Sequence, residues 1–374
     1  MTLIINEEQK MLKESTKEFL DSKSPLSSMR NLRDNNFQTY NKDLWVEMVE
    51  MGWTSLTIPE KYNGLNFGYV GLGQVLEEMG RKLTVSPIIS TVLMSSTLIN
   101  LSKNEILKTK LFQEIMNGSK LLTLAHEEGK HHNSNSLDTL ISKEEDFFVL
   151  NGKKNFVIDG SISDYLIVSA KDESGSNTLI VLVDADANGI KFNHKVHMDS
   201  RTYSDITFNN VKIEKDNFLS SNGDGFSILD KTFDIARIGL ASEMLGSVQE
   251  AFEITMAYLK EREQFGVKIG SFQALQHRSA LMFGEIELCK SIVLKALQSI
   301  DSNDSNLSKN ASLAKAKLGL VFKLVSNEAV QMHGGIGVTD DADIGFFLKR
   351  ARVIQRILGD SNYHLDRLAK INNY

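Results

Sequence analysis

The chain has 374 residues, a net charge of −6, 41% hydrophobic and 24% charged residues, and a single cysteine. That length suffices for two or three domains, and the acidic balance argues against a nucleic-acid partner. With no basic tract and no run of about 18 apolar residues, the sequence offers neither a membrane span nor a polybasic anchor. Met1 to Lys10 carries Glu7 and Glu8 and no apolar core, so nothing marks the chain for secretion and it reads as cytoplasmic. Cys289 has no second cysteine to pair with and reads as a small buried hydrophobe on a helix.

Residues 1–120 predict a helical domain. Apolar residues recur at helical spacing in Met11, Leu12, Phe19 and Leu20, in Leu44, Met48, Met51 and Trp53, and in Leu72, Val75, Leu76 and Met79. Breakers at Ser24-Pro25, Pro59 with Gly64, and Ser86-Pro87 separate them. Residues 121–222 predict short strands in a small antiparallel β-barrel or sandwich. Phe147–Leu150 runs into the turn pair Asn151-Gly152 and returns along Lys154–Ile158, and further strands follow at 165–170, 178–183, 190–194 and 206–213. Residues 223–374 predict a helix bundle interrupted by a polar loop at 299–308. The chain is thus mainly α with a β middle domain.

Two stretches carry chemistry. Arg262–Gln273 reads R-E-Q-F-G-V-K-I-G-S-F-Q. Arg262 offers a planar, permanently charged fork for a phosphate, Gly266 and Gly270 permit tight turns, Phe265 can lie along a flat ligand, and Gln273 presents an amide. Gln331–Gly337 reads Q-M-H-G-G-I-G, where Gly334, Gly335 and Gly337 let a backbone approach something bulky or anionic. It lacks the dinucleotide fingerprint, since Asp340 stands at the third glycine position. Each alone also reads as an ordinary loop. The cluster His126-Glu127-Glu128-Gly129-Lys130-His131-His132 has the wrong spacing for a helical metal site and reads as a solvated loop, with no metal. No G-x-S-x-G element supports a serine hydrolase.

Taken together, the Arg262-x-x-Phe265-Gly266 and Phe272-Gln273 elements with Gln331-x-x-Gly334-Gly335 resemble the acyl-CoA dehydrogenase family of flavoproteins over nearly the whole chain. The resemblance implies helical, barrel and helical-bundle domains, FAD, and an acyl-CoA substrate from which a carboxylate removes a proton while the flavin accepts a hydride. It implies that Arg262, Phe265, Gln273, Gln331, Gly334 and Gly335 hold the adenosine and pyrophosphate of a neighbouring subunit's FAD. At the two positions where relatives carry the base stand Leu358, before Gly359, and Ala236, before Arg237. Glu243 and Asp360 are the nearby acids that could serve as a relocated base or be structural. The family's T-E-P-G segment, whose threonine contacts the flavin, is here His126-Glu127-Glu128-Gly129, and its W-I-T segment along the ring is Phe156-Val157-Ile158. Ring-side contacts are lost while the clamp is kept, and the ending Gly359–His364 also resembles subunits of heteromeric members. The expectation is a non-catalytic subunit completing the FAD site of a homologous catalytic partner. A self-associating dehydrogenase using Glu243 or Asp360, and a flavin-free binding or scaffold protein, are the alternatives.

Overall fold

A computed structural model of the chain describes residues 3–35, 39–134, 136–221 and 223–374. Positions 1–2, at the start of the predicted helical domain, and 222, the predicted end of the β domain, lie outside the described residues. The chain divides into two units that do not follow sequence order. One comprises Met1–Asn31, Tyr69–Thr84 and Arg237–Tyr374, the other Leu32–Gly68 and Val85–Ala236.

The first unit is helical. It contains α1 (Glu7–Lys23), α4 (Tyr69–Lys82), α8 (Gln273–Asp301), α9 (Leu307–His333), α10 (Ile344–Ile354), α11 (Ser361–Ile371) and most of α7 (Gly225–Glu261). Sequence signals set several ends. Asn6 and Gln9 form a reciprocal capping box on α1, and Asp360 accepts from the Tyr363 N–H at the start of α11. At 37 residues, α7 runs about 55 Å, and positions 237–248 are buried on every side. It gains that central place through glycine: a Cβ on Gly246 would lie 1.7 Å from the Glu77 carbonyl oxygen, and one on Gly80 would lie 2.0 Å from the Glu243 carbonyl oxygen. The backbones of α4 and α7 therefore cross with no room for a side chain. Cys289 is buried on α8, and burial pushes its thiol up to about 12. The predicted polar loop at 299–308 is shorter than expected, because α8 continues to Asp301, whose carboxylate accepts from the N–H groups of Tyr69 and Val70 at the start of α4.

The second unit holds α3 (Lys42–Glu50), α5 (Ser96–Leu101), α6 (Glu105–Met116) and a π-helical segment (Ile88–Ser95) beside one seven-stranded sheet. Its strands are β1 (Leu122–Ala125), β2 (Leu140–Lys143), β3 (Phe148–Ile158), β4 (Tyr165–Asp172), β5 (Thr178–Asp184), β6 (Ile190–Val196) and β7 (Thr202–Ile213). The path runs β1-β4-β2-β3-β7-β6, with β5 also on β4. Most pairs are antiparallel, but β4 lies parallel to β1 and to β2. Its core is made of alternating residues such as Leu150, Val168, Val181, Ile206 and Val211. One expectation is corrected here. Asn151-Gly152 makes no hairpin turn but lies inside β3, where pairing with β7 shifts register between Leu150 and Gly152. Gly152 has φ +151°, and a Cβ there would lie 2.5 Å from the Thr139 hydroxyl. The glycine serves a bulge and a close approach, while the Asn151 and Asn210 side chains bond across the strands.

Candidate functional site

The two glycine-bearing stretches lie at adjacent helix ends of the helical unit. Past Glu261, at the end of α7, the chain forms a small hairpin of β8 (Glu263–Gln264) and β9 (Val267–Lys268), turning at Phe265 (φ +56°) and Gly266 (φ +76°). Two successive left-handed residues define a tight mirror-image turn that favours Asn-Gly, so Phe265 is conformationally costly there. It is also 92% exposed. The Ile269 N–H closes the loop on the Arg262 carbonyl at 2.9 Å, and Gln273 opens α8. Arg262 and Gln273 are exposed, and among the described residues Arg262 is engaged through its backbone only. At the end of α9, Tyr258 of α7 stacks on His333 with centroids 4.4 Å apart, which brings the two helix ends together. Gly334 follows with φ +66° and ψ −142°, a conformation for glycine alone, and its N–H bonds to the Gln331 carbonyl. Gln331, Gly334 and Gly335 are exposed, and a Cβ on Gly335 would meet nothing within 4 Å. Gly337 is different, since a Cβ there would lie 2.7 Å from the Val330 carbonyl oxygen. The chain's own packing thus accounts for Gly337 but not for Gly335 or for the Arg262 guanidinium, while Phe265, among the described residues, meets only the Phe272 ring, edge-on at 6.3 Å.

The turn that carries Leu358 is held from several sides. Leu358 is buried with φ +55°, followed by Gly359 at +101°. Its carbonyl accepts from Arg237 Nε at 3.1 Å and from His364 Nε2 at 3.0 Å. Lys315, fully buried, donates to the carbonyls of Ile354, Gln355 and Gly359 at 2.9–3.3 Å. Burial, reinforced by the Arg237 and Arg350 charges, brings its ammonium down to about 7. Ala236 is fully buried and carries no functional group. Glu243 is buried against Arg350, whose Nε and Nη2 donate to its two oxygens at 3.0 and 3.1 Å. Asp360 caps α11, with 2.9 Å from Oδ1 to the Tyr363 N–H. As a cap it should contribute about 1 kcal/mol. Asp360→Ala should therefore lower unfolding stability in urea by that amount, with Asp360→Asn nearly neutral because the amide still accepts.

The strand-containing unit holds the other stretches. The loop after β1 is solvated as predicted at Gly129–His131 but not at its first residue: His126 is 3% exposed, with Nδ1 2.9 Å from Ser169 Oγ, Nε2 3.4 Å from the Asn133 carbonyl, and its ring 4.7 Å from Phe233. Glu127 pairs with His132, whose ring stands edge-on to Phe233. Beneath them Lys154 is buried and reaches Glu128 Oε1 at 2.6 Å, the His126 carbonyl at 3.2 Å and Ser169 Oγ at 3.4 Å. Burial lowers His126 to about 4 and Lys154 to about 8. A buried network forms because a polar tract flanked by β1 and β3 must satisfy itself once packed. Phe156, at φ +54°, stacks on Tyr203 at 4.1 Å, and the Ile158 carbonyl accepts from Thr123 Oγ1 at 2.5 Å. Lys154, Ser169, Lys315 and Arg350 escape a reading of the sequence, because each looks like a surface residue until its partners are known. Among the described residues, no group of three or more His, Cys, Asp or Glu is placed to hold a metal, and no helix is long and apolar enough to cross a membrane.

Along the sequence, helical segments precede and follow the β-strand segment. Sequence models of the acyl-CoA dehydrogenase N-terminal, middle and C-terminal domains match residues 6–119, 123–211 and 223–371. The 3-(aryl)acrylate reductase of Clostridium sporogenes is 30% identical over 86% of this chain and 88% of its own length. The caffeyl-CoA reductase-Etf complex subunit CarC of Acetobacterium woodii is 28% identical over 96% of each. Butyryl-CoA dehydrogenase from Megasphaera elsdenii shares the fold, with a TM-score of 0.92 over all of both chains at 24% identity. The chain belongs to the acyl-CoA dehydrogenase family of FAD-dependent oxidoreductases.

Proposed function

We propose that this chain is a subunit of an acyl-CoA dehydrogenase assembly in which it supplies the clamp for FAD seated in a homologous catalytic subunit. The observation that carries this reading is the contrast within the helical unit. Arg262, Phe265, Gln273, Gln331, Gly334 and Gly335 are all exposed, with the Arg262 guanidinium unpaired and Phe265 touching only the Phe272 ring among the described residues, whereas the base position is filled by buried Leu358. FAD, when bound, supplies the hydride acceptor for the carbon next to the one that loses a proton. Toward it, Arg262 offers two N–H groups for a pyrophosphate oxygen, the amides of Gln273 and Gln331 offer hydrogen bonds, and Gly335 lets the backbone close in. The substrate would be an acyl-CoA thioester, and one relative's name, that of a reductase complex subunit, supports membership of an assembly.

The self-sufficient alternative needs a base. Glu243 receives two charge-assisted hydrogen bonds from Arg350, and Asp360 is occupied as a cap, which favours structural roles for both. The assembly isolated from its native cells should contain a second dehydrogenase-like chain with Glu before the glycine equivalent to Gly359, and one FAD per pair of chains. A preparation of this chain alone that is bleached by an acyl-CoA would defeat the proposal. Arg262→Ala should weaken FAD retention by the assembly roughly ten- to a hundred-fold, the effect of losing a charged hydrogen bond of about 1.5–3 kcal/mol. Equilibrium dialysis against FAD measures it, and unchanged retention would reduce the hairpin to a loop.

A further inference from the structure

The clamp residues fit FAD; the residues at the family's ring-contact positions do not, and the reason is visible within the strand-containing unit. The side chains of His126, Glu127, Glu128 and His132 are turned inward, while Gly129–His131 are exposed. His126 has one ring nitrogen on Ser169 and the other toward the Asn133 carbonyl. The Glu127 carboxylate is taken by His132. Glu128 is bonded to Lys154 and to the N–H groups of Asp138 and Thr139. Two main-chain carbonyls are taken as well, since the Asn155 N–H donates to the Glu127 carbonyl at 2.6 Å and the Asn155 amide to that of Glu128. His126 and His132 both pack their edges on Phe233. On β3, Ile158 has no side-chain donor, its carbonyl is held by Thr123, and Phe156 is stacked on Tyr203.

We infer that this unit is closed to a flavin ring by its own His126–Phe233–His132 cluster and the Lys154 network beneath it. The chain then has no ring seat of its own, and any FAD it touches is touched through the clamp. Opening the loop would take Glu128 and the His126 carbonyl from Lys154 and the imidazole from Ser169, leaving these two buried groups only their own 3.4 Å contact, so the closed arrangement is the stable one. The inference rests on the proposed function only for the clamp; the closure is read from the second unit alone.

The test is FAD binding, followed by fluorescence on the purified full chain. The unaltered chain should retain no FAD on desalting. The double variant His126→Thr/Ile158→Thr, with its fold checked by circular dichroism and a urea melt, should bind about tenfold or more tightly than the parent, as two side-chain hydroxyls replace a spent imidazole and a hydrocarbon. Ile158→Thr alone leaves the cluster in place and should gain little. One FAD retained per unaltered chain overturns the closure whether or not the double variant folds. So does a full gain from Ile158→Thr alone, or a folded double variant that binds no better than the parent. Failure of the clamp reading shows separately, as unchanged retention by the assembly on Arg262→Ala, and leaves the closure standing.

Discussion

Glu243→Ala should destabilise the helical unit by about 3–5 kcal/mol, the typical cost of stranding one partner of a buried ion pair. Both side chains of the Glu243–Arg350 pair are 3% exposed and meet through two hydrogen bonds and a 2.8 Å ion-pair contact. Removing the carboxylate leaves a guanidinium in the interior facing a vacated site. The double replacement Glu243→Met/Arg350→Leu should recover most of the loss, because two packed hydrocarbons need no compensation. Urea unfolding of the three proteins gives the comparison. The outcome also separates two roles. A proton-abstracting Glu243 would show itself in Glu243→Gln as a loss of about 10²-fold or more in turnover with stability nearly kept. A structural Glu243 would show the reverse.

The helical parts of this fold were legible because their signals are local. Apolar spacing marked α1, α3 and α4, and the break at Ser24-Pro25 separates α1 from the next helix, Leu26–Asp34, as read. Strands β4 to β7 were found within a few residues, β4 and β5 as runs of apolar and β-branched side chains, β6 and β7 as apolar residues interleaved with polar ones. Strands β1 and β2 were missed. Each has only four residues, too few to show a pattern; β1 is defined by pairing with β4, distant in sequence, and β2 by pairing with β3 along its length and with β4 at its start. Asn151-Gly152 misled for the opposite reason, since a strong local turn signal was overruled by pairing of both its flanks with β7. The candidate site divides the same way. The proposed clamp is two contiguous stretches and could be read as motifs. The buried networks join residues such as Glu243 and Arg350, 107 positions apart, or His126 and Ser169, 43 apart, and spacing along the chain says nothing about such pairs. Reading the ends of the His126–His132 stretch as solvated, like its exposed middle, followed from counting its charges without knowing that Lys154 and Phe233 would pack against His126, Glu128 and His132.

Replacing His126 with Asn should make the protein less sensitive to acid. Burial, partly opposed by Glu127, lowers the imidazole from 6.5 to about 4, so in the folded chain it stays neutral while the unfolded chain takes up a proton. Between about pH 6.5 and pH 4 the unfolded state therefore binds more protons, and stability falls as the pH falls through that window. The full loss from this group is roughly 3 kcal/mol, reached near the lower limit. Asn does not titrate, and its short amide can keep a bond to Ser169 in place of Nδ1. The parent should thus lose roughly 3 kcal/mol more than His126→Asn when urea unfolding is repeated near pH 7 and near pH 4. Two neighbours sharpen the reading. Burial pushes the Glu127 carboxyl up, but its pairing with His132 outweighs that and holds it low; Glu127 therefore also weakens the fold in acid, and because His126 contributes less to this lowering than His132 does, most of that loss is common to both proteins. Lys154, lowered to about 8, changes its charge above that pH and stays outside the window. An equal acid loss in both proteins would mean that His126 accepts its proton while folded, and hence that water reaches the cluster on Phe233. A cluster so wetted could not be the closed core described above, and the same two melts would then count against it.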